Sequence, residues 1–170
     1  MSDTIAIRPA VPGDAEILCG IYNHYVRHTI VTFEEAPIDG DEMARRLEAV
    51  RAASLPWQVL ETSGTVTGFA YADRWKRRSA YRHSVETTIY LAPGAGGRGL
   101  GSRLYRELLA ALRTLPLHAA MGGIALPNPG SIALHERCGF TKVAHFEQVG
   151  RKFGRWIDVG YWQLLLQPKE

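Results

Sequence analysis

Glu86 is an acidic side chain in the middle of a segment that otherwise has the character of a buried strand. Residues 83–91 are rich in β-branched side chains, which is typical of a β-strand. Alternation along the strand places Glu86 on one face with Thr88 and Tyr90. A carboxylate in so apolar a segment is costly unless it is paired or functional. Glu86 is therefore a candidate general base, and the alternative is an ion pair with a basic residue of segment 74–82.

A glycine-rich loop follows this strand and precedes a predicted helix. Its five glycines are Gly94, Gly96, Gly97, Gly99 and Gly101. Glycine can adopt positive φ and lets backbone amides approach a ligand closely. The N-terminus of the helix adds unpaired N–H groups and a partial positive charge. The loop predicts a site for a phosphate or pyrophosphate, and the alternative is a plain surface turn.

Two common phosphate-binding loops are excluded by the surrounding sequence. Residues 94–99 match G-x-G-x-x-G, but a dinucleotide-binding unit requires an acidic residue about 20 positions further on. The next predicted strand, residues 120–126, contains no Asp or Glu, and one further helix is too little for a doubly wound sheet. A P-loop is excluded because no Gly-Lys-Ser or Gly-Lys-Thr closes the loop.

The hydrophobic pattern predicts one α/β domain with a mixed sheet over residues 1–170. Asp39 and Glu42 resemble a capping box at the start of the second helix. The predicted order is a strand at 5–8, two helices, strands at 57–61, 66–72 and 83–91, a helix after the glycine loop, a strand at 120–126, a short helix ending at Gly139, and a hairpin of strands 141–149 and 158–166 joined across 150–154.

The composition is that of an ordinary globular domain. The chain has 170 residues, of which 46% are hydrophobic and 22% charged, enough to bury a core without disulfides or metals. A net charge of +3 is too mild for a typical nucleic-acid binder and suits a small anionic ligand. Cys19 and Cys138 lack a paired spacing, which argues for a reducing compartment and against a zinc site. Without a signal peptide or an apolar run of ~20 residues, the sequence predicts a cytoplasmic protein with no membrane, nucleic-acid or metal partner.

Two motifs resemble the signatures of the GNAT N-acetyltransferases. Residues 97–102, Gly-Arg-Gly-Leu-Gly-Ser, are similar to the loop whose amides bind the pyrophosphate of acetyl-CoA in that family. Residues 128–140 are similar to its second signature, an Asn followed by a short helix and Gly-Phe. One departure is Gly96, which stands where the family carries Arg or Gln. The amides make most of that contact, so the loop is still expected to bind, with Arg98 lending charge.

The resemblance extends to a subfamily and covers nearly the whole chain. Segments 85–91 and 154–164 are similar to the phosphinothricin and methionine sulfoximine N-acetyltransferases, and the similarity runs from about Ile7 to Leu166. It implies a GNAT-type α/β (α+β) domain with a central, mixed, mostly antiparallel twisted sheet of about seven strands flanked by about four helices. It also implies a homodimer and a link to antibiotic or herbicide resistance.

The activity implied is direct transfer of acetyl from acetyl-CoA to the α-amine of a small amino-acid analogue. Phosphinothricin, methionine sulfoximine and methionine sulfone are the acceptors that the resemblance suggests. Acetylation of another amine, such as a polyamine or a protein N-terminus, and a non-catalytic acetyl-CoA sensor are the alternatives. The residues implied to bind acetyl-CoA are Ile89, Tyr90, Leu91, Gly97, Arg98, Gly99, Leu100, Gly101, Ser102 and Asn128.

The same resemblance assigns catalytic roles. Glu86 matches the family's base, and His135 stands where the subfamily has a histidine in place of a tyrosine that protonates the leaving thiolate. An imidazole can serve as acid or relay near neutrality, and the alternative is a surface histidine satisfied by water. Asn128 is expected to bond to the pantetheine arm, the alternative being a turn or capping residue.

The residues that bind the acceptor are the least determined by the sequence. A basic segment at 74–78 is either a solvated face or the part that holds the acceptor carboxylate. The residues expected at the acceptor are Phe33, Lys76, Arg77, Arg78, Tyr81, Glu86, Thr87 and Thr88.

Overall fold

The computed structural model of the chain describes residues 4–167. Its seven strands and four helices follow one another along the chain in the predicted order. They are β1 (Ile5–Pro9), α1 (Ala15–His28), α2 (Gly40–Ala52), β2 (Trp57–Thr62), β3 (Thr65–Arg74), β4 (Ser84–Leu91), α3 (Leu100–Arg113), β5 (Ala119–Ala125), α4 (Pro129–Arg137), β6 (Thr141–Lys152) and β7 (Arg155–Leu165). Asp39 caps α2 by accepting a hydrogen bond from Glu42 N at 2.8 Å, which is one half of the predicted capping box. The Glu42 carboxylate bonds to Arg45 and Arg46 instead.

One mixed sheet contains all seven strands in the order β1-β2-β3-β4-β5-β7-β6. Five of its six pairings are antiparallel, and β4 with β5 is the parallel pair. A parallel pair needs a crossover, and α3 provides it. The expected mixed, mostly antiparallel sheet is therefore confirmed.

Helices cover both faces of the sheet. The alternation of β2 shows this, because Val59 packs with α1 and α2 whereas its neighbour Leu60 packs with α3. The core under α3 is the larger one, and Leu104, Leu108 and Leu112 of that helix are fully buried in it. No helix within residues 4–167 is long and apolar enough to cross a membrane.

The C-terminal hairpin differs from the prediction. The strands continue through the glycine-containing stretch and turn at Phe153 and Gly154, whose φ angles are 50° and 73°. Two consecutive positive φ angles are typical of a two-residue type I′ turn, which matches the twist of a hairpin. Gly150 instead lies inside β6, opposite Ile157.

Candidate active site

The parallel strands β4 and β5 separate partway along their length. Their pairing joins Ser84–Glu86 to Ala119–Met121, whereas the strands run on to Leu91 and Ala125. Beyond that point the two strands diverge, and a cleft opens between them. Glu86 is the last β4 residue of the pairing, so it lies at the apex of the opening.

The backbone of β4 presents alternate residues to this cleft. Ser84 O accepts from Trp75 N, and Ala92 N donates to Thr67 O, so the even-numbered residues direct their polar groups toward β3. The amides of Ile89 and Leu91 therefore face the cleft. The backbone of Tyr90 bonds toward β3, so the acetyl-CoA contact predicted for Tyr90 cannot come from its main-chain amide.

The cleft has a volume of about 1030 Å³ and extends over the glycine loop and the N-termini of α3 and α4. Of the ten predicted acetyl-CoA residues, eight line it: Ile89, Tyr90, Leu91, Gly97, Gly99, Gly101, Ser102 and Asn128. The side chain of Leu100 is buried in the core under α3, and Arg98 is exposed. Neither lines the cleft. Arg106 and Arg137 do line it, and the sequence reasoning missed both cations.

The glycine loop has the geometry that glycine alone adopts readily. Gly94, Gly97 and Gly99 have φ angles of 82°, 82° and 74°, a region that costs other residues roughly 1–2 kcal/mol. Gly99 is the N-cap of α3, so the free N–H groups of the first helical turn are presented to the cleft. Gly96 differs from its neighbours because its φ is not positive and a side chain there would meet open space.

Asn128 has the capping role left open by the sequence. Its Oδ1 accepts a hydrogen bond from Ser131 N at 3.1 Å and caps α4. The same residue lines the cleft.

A second cavity of about 770 Å³ lies on the α1–α2 side of the opening. Both cavities are lined by Glu86, Gly123, Val31 and Ala125, so they meet at the apex between β4 and β5. The wall of the second cavity is largely apolar and comes from the β6–β7 hairpin and the segment before α2. We call this second cavity the acceptor pocket.

The structure brings only part of the predicted acceptor set together. Phe33, Lys76, Tyr81 and Glu86 line the acceptor pocket. The two basic side chains Arg77 and Arg78 are exposed and do not line it, in keeping with the solvated-face alternative. Thr88 lines the first cleft instead.

The assignment of Thr87 to the acceptor pocket is wrong. Its side chain is on the face of β4 opposite to Glu86, is 5% exposed, and hydrogen-bonds to the Tyr105 hydroxyl at 2.6 Å. Strand alternation alone separates the two neighbours.

Burial raises the pKa of the Glu86 carboxyl above its ordinary value. The positive charge of Lys76 and the Tyr161 hydroxyl oppose that rise, and the charge of Asp73, directly opposite on β3, adds to it. A structural ion pair would lower the pKa instead. The raised pKa fits the predicted general base better than the ion-pair alternative, because such a carboxylate takes up a proton at a pH closer to neutrality.

Tyr161 is a neighbour of Glu86 that the sequence reasoning did not place in the site. Its ring packs over Gly123, where a Cβ would lie 3.1 Å from both the ring and Glu86 Oε1. The Trp75 ring meets it edge-on at 5.2 Å. Alternation along β7, on which Tyr161 lies next to the buried Trp162, was the available signal.

His135 is 4% exposed, so it is not a surface histidine. Its Nδ1 lies 2.8 Å from Ser131 O and its Nε2 lies 3.1 Å from the Tyr105 hydroxyl. A carbonyl can only accept, so Nδ1 carries the proton of the neutral ring. Burial lowers the pKa of His135, which keeps the ring neutral at pH 7.

The imidazole lies directly under β5. A Cβ on Gly122 would overlap the Nε2 edge of the His135 ring. Gly122 is thus required by the close approach of His135, and Gly123 by the close approach of Tyr161 and Glu86 on the other face. Two adjacent glycines bring groups from both faces to within one backbone thickness of each other.

The described residues contain no group of three or more His, Cys, Asp or Glu side chains arranged to hold a metal ion. The free thiols of Cys19 and Cys138 have raised pKa values because of burial, so neither is an activated nucleophile.

Comparison with known proteins identifies the family. The model of the acetyltransferase (GNAT) domain matches residues 7–160. The chain is 42% identical over 163 residues to a phosphinothricin N-acetyltransferase of Streptomyces coelicolor, covering 94% of this chain and 95% of that protein. It is 37% identical over 162 residues to the L-methionine sulfoximine/L-methionine sulfone acetyltransferase of Salmonella typhimurium, covering 95% of each. A crystal structure of a phosphinothricin acetyltransferase from Sinorhizobium meliloti in complex with acetyl-CoA superposes with a TM-score of 0.91, at 36% identity, covering 97% of this chain and 89% of that one. The chain therefore belongs to the GNAT acetyltransferase family and is an N-acetyltransferase.

Proposed function

We propose that the enzyme transfers acetyl from acetyl-CoA directly to the α-amine of a small amino-acid analogue of the phosphinothricin, methionine sulfoximine or methionine sulfone class. One observation carries the proposal: a long cleft with a glycine loop and an apolar pocket meet at a half-buried carboxylate, Glu86. A donor in the cleft and an acceptor in the pocket would touch there. Relatives named for these acceptors support the substrate class.

Acetyl-CoA fits the first cleft by its chemistry. The loop amides at Gly97, Gly99 and Gly101 and the start of α3 suit the pyrophosphate, with Arg106 and Arg137 as nearby cations. The amides of Ile89 and Leu91 suit the pantetheine arm, which would add to the edge of β4 like a short strand. One of those amides would then polarise the thioester carbonyl.

The acceptor would enter the pocket with its amine toward Glu86. An amine must lose a proton before it attacks a thioester, and Glu86, with its raised pKa, is placed to accept that proton directly or through a water. Among the described residues that line this pocket, Lys76 is the cation, so it is the partner for the acceptor's carboxylate.

His135 would contribute to protonation of the leaving thiolate as a relay. The neutral ring has its proton on Nδ1, which bonds to Ser131 O, while Ser131 itself lines the cleft. Because the pKa of His135 is lowered, little imidazolium is present at pH 7 to supply that proton. We therefore assign His135 a smaller share of the rate than Glu86.

The test is a panel of amines scored by release of free thiol from acetyl-CoA. We expect turnover with phosphinothricin, methionine sulfoximine and methionine sulfone, and initial-rate lines that intersect, as direct transfer in a ternary complex requires. Gly99→Glu serves as the control that should abolish acetyl-CoA binding, since it adds strain at φ 74° and a negative charge beside the pyrophosphate. Turnover with polyamines or protein N-termini alone would assign a different acceptor. Acetyl-CoA binding without turnover of any amine would indicate a sensor.

We also propose that the enzyme is a cytoplasmic homodimer that pairs through the β6–β7 hairpin. Exposed large apolar side chains concentrate there: Phe153 and Trp156 are 56% and 60% exposed, and Val143, Phe146 and Val149, which also line the acceptor pocket, are 49–59% exposed. A monomer rarely leaves such a patch open to water. Of the hairpin's tryptophans, Trp156 is 60% exposed and available for this contact, whereas Trp162 is 2% exposed and belongs to the core.

A further inference from the structure

The segment between α1 and α2, residues 29–38, borders the acceptor pocket and is fixed at its base by polar contacts. The Tyr22 hydroxyl hydrogen-bonds to the Thr32 hydroxyl at 2.7 Å and also to the Glu34 carboxylate. Arg46 donates to both carboxylate oxygens of Glu34, at 2.6 and 2.9 Å. A bidentate pair of this kind fixes orientation as well as position. The segment is therefore held in one place on the α2 side.

The same segment is tied to the β6–β7 hairpin on its other side. Lys152, which is 2% exposed, donates from Nζ to Thr32 O at 2.7 Å. Burying an ammonium is costly, and this hydrogen bond compensates part of the cost. One residue further along the segment, the Phe33 ring lies against Gly150, where any Cβ would overlap the ring. These two contacts hold the segment, with the Phe33 ring, against the hairpin.

Phe33 lines the acceptor pocket and contacts the hairpin at a point remote from Glu86. Gly150 pairs with Ile157, four residues along β7 from Tyr161, and four residues of extended strand span about 13 Å. Tyr161 lies beside Glu86, so the Phe33–Gly150 contact is at the far end of the hairpin wall. The wall between them is apolar and is formed by Phe146, Val149 and Val159.

We propose that Phe33 sets the upper limit on the length of the acceptor's side chain. An acceptor anchored by its amine at Glu86 extends along the hairpin wall until its distal end meets the Phe33 ring. Gly150 and Lys152 act as positioning residues, because they hold that ring and its segment in place. The inference rests on the proposed function, since it takes Glu86 as the point where the acceptor's amine is bound.

The test compares straight-chain α-amino acids from 2-aminobutyrate to 2-aminooctanoate in wild type and Phe33→Ala. Each further methylene that an apolar pocket can accommodate raises kcat/KM for the longer substrate by roughly tenfold or more. We expect the ratio of kcat/KM for 2-aminooctanoate to that for 2-aminobutyrate to rise about tenfold in Phe33→Ala. Lys152→Met should raise the same ratio by less, mainly through KM, since it frees the segment but keeps the ring.

Ile17→Ala is the control. Ile17 is an exposed apolar residue of α1 and lines neither cavity. Removing apolar surface there should leave the ratio at its wild-type value. An unchanged ratio in folded Phe33→Ala, or an equal rise in Ile17→Ala, would overturn the proposal.

A binding measurement separates this inference from the proposed function. The same amino acids are titrated by calorimetry into wild type and Phe33→Ala that are saturated with CoA. If they bind with the expected shift in length preference but are not acetylated, the role of Phe33 stands and the proposed reaction fails. If turnover occurs but neither binding nor kcat/KM responds to Phe33→Ala, the reaction stands and this inference fails. If none of them binds, both fail.

Discussion

Glu86 pairs with Met121 in the last register position that joins β4 to β5. The carboxylate is therefore fixed by a regular sheet on one side and faces an opening on the other. Rigid strands place side chains more accurately than loops do, which is an advantage for a base that must meet two ligands at once.

Glu86→Gln keeps the shape of the site but cannot accept a proton. We expect kcat to fall roughly 10²–10⁴-fold, while acetyl-CoA affinity changes little. Because burial raises the pKa of Glu86, its charged form costs stability above that pKa, and the cost is absent at lower pH. The melting temperature of Glu86→Gln at pH 8 should therefore equal or exceed that of wild type. A lower melting temperature with near-normal kcat would instead identify Glu86 as a structural ion-pair partner.

The acidic limb of the kcat/KM profile reports the protonation of Glu86. We expect it above the ordinary Glu value of about 4.3, with activity lost as pH falls through the raised pKa. Asp73→Asn removes a charge that raises this pKa, and Lys76→Met removes one that lowers it. The limb should move to lower pH in Asp73→Asn and to higher pH in Lys76→Met. Shifts in the same direction would show that another group titrates.

Replacing His135 by Asn or by Gln distinguishes the roles of its two ring nitrogens. Asn retains a donor near the Nδ1 position for Ser131 O, and Gln places its amide near the Nε2 position beside Tyr105. Each variant should lower kcat by less than Glu86→Gln does. Neither should remove an alkaline limb, because the pKa of His135 is lowered rather than raised.

Stability against pH gives a second measurement on the same variants. A buried histidine whose pKa is lowered binds fewer protons in the folded state, so wild type should lose stability as pH falls below about 6.5. That loss should be smaller in both variants, measured as the free energy of unfolding in urea at pH 5 and pH 8. An identical pH dependence would mean that His135 is not buried in solution.

Gly96→Arg should strengthen acetyl-CoA binding. The position has ordinary φ and open space, and a guanidinium there could reach the pyrophosphate, a charge-assisted contact that would tighten binding by about tenfold. Gly97→Arg is the matched control, since it adds the same charge in equally open space but at φ 82°. It should bind acetyl-CoA less tightly than Gly96→Arg. Equal affinities would argue against the role of loop conformation.

The oligomeric state tests the exposed hairpin. Light scattering at micromolar concentration should give twice the chain mass of 18.9 kDa for wild type. Trp156→Ser should shift the protein toward the monomer. Val11→Ser should not, because Val11 is an exposed apolar residue just after β1, at the opposite edge of the sheet. A monomeric wild type would reject the dimer.

Most of the fold was accessible from the sequence because its signals are local. Hydrophobic period, the Asp39 cap and the glycine loop each depend on neighbours in the chain, and the element order is confirmed. The hairpin turn was misplaced because Gly150 looks like turn punctuation, whereas its real constraint is the Phe33 ring, 117 positions earlier in the chain.

The site was predicted less completely because it depends on how distant strands meet. Glu86 is half-buried and His135 is buried at the junction, but Thr87 was assigned to the wrong face although strand alternation already separates it from Glu86. Tyr161 was missed although alternation along β7 was a signal, and Arg106 and Arg137 were missed because only the packing of α3 and α4 shows which of their side chains line the cleft. Arg77 and Arg78 show the opposite error. Their charge made them candidates for binding the acceptor's carboxylate, but the fold leaves both side chains in solvent.

The adjacent glycines of β5 restrict how this enzyme can diversify. Any side chain at Gly122 would displace His135, and any at Gly123 would press on Tyr161 and Glu86. New acceptor preferences therefore cannot arise at these two positions of β5. They can arise at pocket positions away from Glu86, such as Phe146 and Val149 of the hairpin and Phe33 of the segment before α2. The reaction and the choice of acceptor are thus open to change at separate sets of positions.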